Sequence, residues 1–410
     1  MTRPPDGPTG DQFPVFEEDP YRYLVDLRRY GDHVAIDLGG IPTVVVYDLD
    51  SIHRVFADKL EHIGLPAALG RLRHATGSGL LTNYDWATWS PRRRHLVKPL
   101  GARAVGHFHA RMIRIIDETL ASWPVGRRFD LYPEVRFLAL RIVADLLFTE
   151  DLTTEATRVI ERAVDEIHAW AEADPSNADI DTEPESFRTA IADLYRFIAG
   201  VVNRRDPADP GHDMVGVLLG AAADPGVPLD ATGVCDEAVT LILAGHETVT
   251  ATISFALDLV GRHPATACTD ARHIVDETLR MFPPVHMTTK AVTADLDIGG
   301  FTIPAGWEIL IPEYVIFRDP HNFDLPDEFR PDRWADESRL HLERRAYFPF
   351  LTGPKFCIGS HFALMEATEV VGRFMDRYRH RMLDPEPPRG RPFALTFAPD
   401  RPLPCELEHR

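Results

Sequence analysis

A mainly α-helical fold with small β-sheets attached is predicted by three features of this sequence. Apolar residues recur at helical spacing over 104–123, 133–148, 154–173, 184–202 and 230–263. Alternating, β-branched segments are few and short, and they meet at Gly39-Gly40 and Gly299-Gly300, where tight turns are expected. No Gly/Ser-rich linker or internal repeat divides the 410 residues, so one compact unit spanning 1–410 is expected.

Composition narrows the function. The chain is 44% hydrophobic and 26% charged, ordinary for a globular protein, and its net charge of −19 would repel nucleic-acid phosphates. Residues 1–6 carry no apolar run, so neither a signal peptide nor a membrane anchor is expected. Cys235, Cys268, Cys357 and Cys405 lack paired spacing, which argues against a disulfide framework and for a reducing cytoplasm.

In chain order, 33–38 and 43–47 read as a hairpin, and a second hairpin pattern runs from 296 to 311. Between them, 84–100 contains Pro91-Arg92-Arg93-Arg94-His95-Leu96-Val97-Lys98, a basic run in an acidic protein. It reads either as a solvated helix face or as a cationic surface for an anionic group or partner. Residues 172–185, rich in acids with Pro175 and Pro184, read as a loop. The longest helical pattern, 230–263, would span on the order of 45 Å. Its centre reads Ala244-Gly245-His246-Glu247-Thr248-Val249-Thr250. Glycine in mid-helix costs about 1 kcal/mol relative to alanine. Thr248 can bond back to the Ala244 carbonyl and bend the helix. The His-Glu pair is not a zinc motif, since no second histidine follows at the required spacing.

Glu277 and Arg280 stand three residues apart on one helix face, just before Pro283-Pro284. Further on come Phe329-x-Pro331-x-Arg333-Trp334 and then Phe350-x-x-Gly353-x-x-x-Cys357-x-Gly359. The cysteine follows a Gly/Pro-broken loop and precedes a helix beginning near Ser360, where free N–H groups and the macrodipole favour a thiolate. Gly353 and Gly359 allow close approach of a flat ligand, while Phe350 and Phe356 would keep water off the sulfur.

This cysteine loop closely resembles the haem-binding loop of the cytochrome P-450 family, the haem-thiolate monooxygenases. The likeness covers the chain. Ala244–Thr248 is similar to the family's oxygen-activation motif, and Trp89-x-x-x-Arg93 to its haem-contacting pattern. The resemblance implies a helical haem domain with a long central helix and a smaller β-rich part. It implies haem b (iron protoporphyrin IX) ligated through iron by Cys357 and contacted by Phe350, Gly353, Lys355, Gly359, Ala244 and Gly245. Propionate contacts would come from Arg93 or Arg94 and from Lys290. Lys290 and Lys355 stand where the family carries Arg or Arg/His, which exchanges a planar fork or ring for a point charge. Glu277, Arg280 and Arg333 would form a buried structural triad.

The implied activity is a monooxygenase that inserts one oxygen atom of O2 into a C–H bond of a small, largely apolar substrate, as in biosynthetic tailoring of natural products. Oxidative coupling, ring closure or rearrangement would use the same residues. Thr248 and Glu247 would manage proton delivery. Leu241, Ala244, Val285, Met287 and Phe397 are expected to line the substrate pocket. With no reductase domain in the chain, electrons would come from NAD(P)H through a ferredoxin docking on the proximal basic face. A monomer without membrane attachment is expected.

Overall fold

The computed structural model describes residues 4–58, 60–149, 153–172, 182–206, 208–335 and 345–410. Most of the acid-rich 172–185 segment therefore lies outside the described residues. The helices, in chain order, are α1 (Phe13–Glu18), α2 (Pro20–Leu27), α3 (Leu49–Ala57), α4 (Leu72–Thr76) and α5 (Trp86–Leu100). Next come α6 (Gly106–Ser122), α7 (Leu131–Phe148), α8 (Thr154–Ala171), α9 (Glu185–Asn203) and α10 (Met214–Ala222). The last are α11 (Ala231–Arg262), α12 (Ala271–Met281), α13 (Glu313–Ile316) and α14 (Ser360–Arg377). The chain folds as two compact units, one formed by Met1–Gly70 with Leu279–Cys357, the other by Arg71–Thr278 with Ile358–Arg410.

The first unit is built on a five-stranded sheet. Strands β1 (His33–Leu38) and β2 (Ile41–Val46) pair antiparallel, with Leu38 opposite Ile41. Gly39 and Gly40, at φ 64° and 86°, make the two-residue turn the sequence predicts, which needs positive φ at both positions. The sheet continues through β8 (Glu308–Ile311) and β5 (Thr288–Val292) to β3 (Ile63–Gly64). The expected 296–311 hairpin is only half realised. β6 (Leu296–Ile298) and β7 (Phe301–Ile303) do pair across Gly299-Gly300. Beyond them Pro304, which has no N–H, and Gly306, at φ 86°, turn the chain away, and β8 joins the larger sheet between β2 and β5. Phe16, Leu24, Leu27, Val34, Ile36, Val45, Tyr47, Leu310 and Val315 form the core under this sheet.

The second unit is helical. α11 is long and apolar enough for a membrane span by composition, yet most of its length is buried inside the fold. Asp85, Asp130, Asp213 and Asp230 each accept a backbone N–H at the start of α5, α7, α10 and α11, which satisfies donors the helix leaves open. A three-stranded sheet of β4 (Arg128–Asp130), β10 (Pro404–His409) and β9 (Tyr378–Met382) completes the unit.

Candidate active site

In the first unit, the loop before Cys357 is fixed by its own backbone. Leu351 N–H donates to the Phe348 carbonyl at 2.9 Å, and Cys357 N–H donates to the Phe350 carbonyl at 2.9 Å. Gly353 sits at φ 69°, and a Cβ there would fall 2.1 Å from the Phe56 carbonyl oxygen, so only glycine fits. Phe348, buried at the loop's base, packs edge-on against Phe56 and Phe317 at 5.7 and 5.2 Å. Cys357 itself is exposed, with Phe356 39% exposed beside it. Cysteine is among the most buried residue types, so a rigid loop that presents one outward is a ligand's cradle more than a packing device. Phe350, Lys355 and Gly359 are half-buried.

Lys290 lies elsewhere in this unit, on β5, only 6% exposed. Burial pushes its amine down to about 8, opposed by the charge of Glu313, which burial in turn pushes up to about 8. Glu313 Oε1 accepts the Thr288 hydroxyl at 2.5 Å. Two buried ionisable groups thus act on each other's charge here, which sequence reasoning did not foresee. Val285 is half-buried, and Met287 packs against the Phe16–Val315 core.

Arg280 is fully buried and donates to backbone carbonyls. Nη1 donates to the carbonyls of Phe317 at 2.9 Å and Pro326 at 2.7 Å, and Nη2 reaches the Glu328 carbonyl at 3.4 Å. Arg333 donates in the same way to Asp324 and Leu325, at 2.9 and 3.3 Å. The two arginines therefore organise the 317–328 segment. Glu277, fully buried, stands one turn before Arg280 on α12.

In the second unit, α11 carries a strip of accessibility along an otherwise buried helix. Leu241, Gly245 and Thr248 are half-buried and Ala244 is exposed, while Ile242, Leu243, His246, Glu247 and Val249 are buried. Thr248 donates its hydroxyl to the Ala244 carbonyl at 2.7 Å, as its position suggests. Glu247 points elsewhere. Its Oε1 accepts Arg136 Nε at 2.9 Å and its Oε2 the Tyr132 hydroxyl at 3.1 Å, both from α7. Arg136 also donates to Asp165 on α8 at 2.5 Å. Burial opposes charge on Glu247, but His246 and Arg136 outweigh it and hold the carboxyl below the usual range. Burial lowers His246 from the ordinary imidazole value, opposed by the charge of Glu247. Phe397 is buried and stacked on Phe255 at 6.1 Å.

The basic run on α5 divides by face. Arg94 and Lys98 are exposed, and Arg93 is half-buried with its guanidinium 5.2 Å over the Trp89 ring. Arg92 is buried and ion-paired to Glu237 on α11 at 3.5 Å. Arg92, Glu237, Arg136 and Tyr132 carried no local sequence signal, since each pairing joins residues more than 100 positions apart.

These residues fit a haem. One exposed thiol on a rigid loop supplies a single soft ligand, suited to an iron that brings its remaining ligands with it. Among the described residues no group of three or more His, Cys, Asp or Glu side chains offers a different metal centre.

The family model for cytochrome P450 matches residues 11–268 and 271–404. Cyclooctatin synthase of Streptomyces melanosporofaciens is 29% identical, over 94% of this chain and 91% of that protein. Pentalenene oxygenase of Streptomyces avermitilis is 25% identical, over 88% and 86%. Among solved structures, a cytochrome P450DA heme domain has a TM-score of 0.84 at 22% identity, covering 100% of this chain and 98% of that one. CYP175A1 from Thermus thermophillus has a TM-score of 0.80 at 25% identity, covering 98% and 100%. With the cysteine loop, the long central helix and the buried arginines all carried on one chain that the family model spans almost end to end, this protein belongs to the cytochrome P450 family.

Proposed function

We propose that this cytochrome P450 is a monooxygenase that inserts one oxygen atom of O2 into a C–H bond of a small, largely apolar natural-product skeleton. The observation that carries this reading is the accessible strip Leu241–Ala244–Thr248 on α11, apolar except for one hydroxyl. Haem, when bound, supplies activation of dioxygen and transfer of an oxygen atom to carbon. Cys357 would hold the haem iron as a thiolate, an electron-rich ligand. Phe350, Gly353, Lys355, Gly359, Ala244 and Gly245 are the residues that would contact the macrocycle, and Arg93 a propionate. Between Arg93 and Arg94, the stacking of Arg93 on Trp89 favours Arg93. Lys290 would reach a propionate as an amine whose charge burial opposes.

Thr248 keeps its hydroxyl at the accessible strip by bonding to Ala244, ready to hold a proton there. Glu247 is an ionised carboxylate one residue away, restrained by Arg136 and Tyr132, and would take up and pass on protons on their way to Thr248. Exposed Arg94 and Lys98 on α5 would receive the acidic face of a ferredoxin reduced from NAD(P)H. Relatives named cyclooctatin synthase, pentalenene oxygenase and cyclooctat-9-en-7-ol 5-monooxygenase point to terpene natural-product biosynthesis, which suits an apolar strip with one polar handle.

The test is to supply the haem-loaded protein with ferredoxin, reductase, NADPH and a panel of polycyclic terpenoid hydrocarbons under 18O2. A product heavier by one labelled oxygen is expected. Turnover only of charged compounds, or products without label, would reject the reading. Thr248→Ala is expected to leave haem and substrate binding intact while diverting reducing equivalents to peroxide; an unchanged product yield per electron would remove its proton role.

A further inference from the structure

Arg92, from the basic run, meets Asp236 and Glu237 in a buried polar cluster of the second unit. All three are less than a tenth exposed. Asp236 and Glu237, consecutive on α11, grip the 78–80 segment. Asp236 Oδ2 accepts both the backbone N–H and the hydroxyl of Ser78, at 2.8 and 2.9 Å, and its Oδ1 accepts the Tyr195 hydroxyl at 2.8 Å. Glu237 Oε2 accepts the Leu80 N–H at 3.0 Å. Arg92, on α5, closes the cluster from the other side. Its Nη1 donates to the Ser78 carbonyl at 2.9 Å and its Nε to the Pro228 carbonyl at 2.8 Å. Between them Gly79 lies against α11 so closely that a Cβ would fall 2.0 Å from Thr240 Oγ1.

The Leu80 peptide carries this grip onward. Its N–H is held by Glu237, and its carbonyl accepts the indole N–H of Trp89 at 3.2 Å. Trp89 is 2% exposed, so this bond satisfies the one polar atom of a buried ring and fixes the ring's rotation. Arg93, one turn further along α5, lays its guanidinium over that ring at 5.2 Å. A continuous series of bonds therefore runs from Glu237 through Leu80 and Trp89 to Arg93. Charge-assisted and chained hydrogen bonds are the ones that hold orientation best.

We propose that Glu237 is a positioning residue for Arg93, acting through the Leu80 peptide and the Trp89 ring, so that α11 sets how firmly a haem propionate is held. This rests on Arg93 as a propionate contact. Arg92 is the counter-charge that lets Glu237 hold the Leu80 N–H while buried, opposing the burial that pushes Glu237 up to about 7. Glutamine retains the carbonyl oxygen that the Leu80 N–H needs, and alanine does not. Phenylalanine at 89 keeps a ring but loses the N–H.

The experiment follows haem transfer from the loaded protein to excess apomyoglobin, together with the Trp89 indole N–H resonance of 15N-labelled apoprotein. One lost hydrogen bond to a charged group is worth about tenfold in rate. Glu237→Gln is expected to lose haem at close to the parent rate. Glu237→Ala and Trp89→Phe are each expected to lose it about tenfold faster, and Glu237→Ala to shift the indole resonance. Arg93→Ala should match them, and the Glu237→Ala/Arg93→Ala double variant should be no faster than Arg93→Ala alone. If Arg93→Ala accelerates loss while Glu237→Ala and Trp89→Phe leave it unchanged, or if the double variant is additive, the relay is overturned. If Arg93→Ala itself leaves haem loss unchanged, the propionate assignment falls, and the relay has nothing to position.

Discussion

Replacing Arg280 with methionine keeps the length of the side chain and its apolar stem but removes every donor. Two firm acceptors would be orphaned, the Phe317 and Pro326 carbonyls now bonded at 2.9 and 2.7 Å; the contact to Glu328 at 3.4 Å is too long to count fully. An orphaned buried acceptor costs about 1–3 kcal/mol, so the loss is roughly 2–6 kcal/mol. A domain's whole stability is only about 5–15 kcal/mol. The guanidinium's place 5.4 Å over the Phe323 ring is also vacated. Arg280→Lys keeps the charge but ends in an ammonium on a different stem that does not reproduce the position of Nη1, from which both carbonyls are bonded, so it should fall between the two. Urea denaturation of the apoprotein, followed by far-UV circular dichroism, reads the effect directly, with haem content per purified chain as the second readout. Arg280→Met is expected to unfold at a much lower urea concentration and to retain little haem. A parent-like midpoint with full haem content would refute the claim that Arg280 organises the 317–328 segment.

Three other substitutions probe separate parts of the account. Gly353→Ala places a Cβ 2.1 Å from the Phe56 carbonyl at φ 69°, so the cysteine loop should distort and haem content, read from absorbance, should drop sharply; normal loading would show that the loop does not need glycine. Arg136→Met removes the 2.9 Å donor that keeps Glu247 ionised in a buried site, so the acidic limb of the product-formation profile should move to higher pH; an unmoved limb would place Glu247 outside proton delivery. Glu366 is fully buried, with neither carboxyl oxygen bonded among the described residues, and burial raises its pKa well above the usual range. Its proton is kept in the folded chain but lost from the unfolded one above about pH 4.3, so stability is full below that pH and falls as pH rises toward the folded pKa. Glu366→Gln should therefore gain on the parent in thermal midpoint as pH goes from 4 to 7; a difference that stays constant would mean Glu366 does not titrate this way.

What the sequence made legible was whatever is encoded locally. The Gly39-Gly40 turn, the cysteine loop and the Thr248–Ala244 bond each depend on residues within a few positions of one another, and each is present. The 296–311 segment was misread because periodicity fixes strand character but not pairing, and Pro304 with Gly306 sends β8 to a different sheet. Glu277, Arg280 and Arg333 were expected as a buried triad, and all three are buried, but the carbonyls that the two arginines bond are backbone atoms, which leave no mark on side-chain chemistry. Partnerships across the chain were out of reach. Nothing near Arg92 points to Glu237, nothing near Glu247 to Arg136, and nothing near Lys290 to Glu313, because burial and packing alone bring them together. The basic run on α5 was read as a solvated face or as a propionate contact through Arg93 or Arg94 beside an exposed cationic surface, and what that reading missed is the buried ion pair of Arg92.

The central claim is that Cys357 binds haem iron as a thiolate. The most direct measurement is the absorption difference spectrum of the reduced, haem-loaded protein with and without carbon monoxide. A maximum at the long wavelength characteristic of thiolate-ligated haem, abolished in Cys357→His, is the result expected. A maximum at the shorter wavelength of histidine-ligated haem in the parent protein, or one that survives in Cys357→Ala, would contradict it.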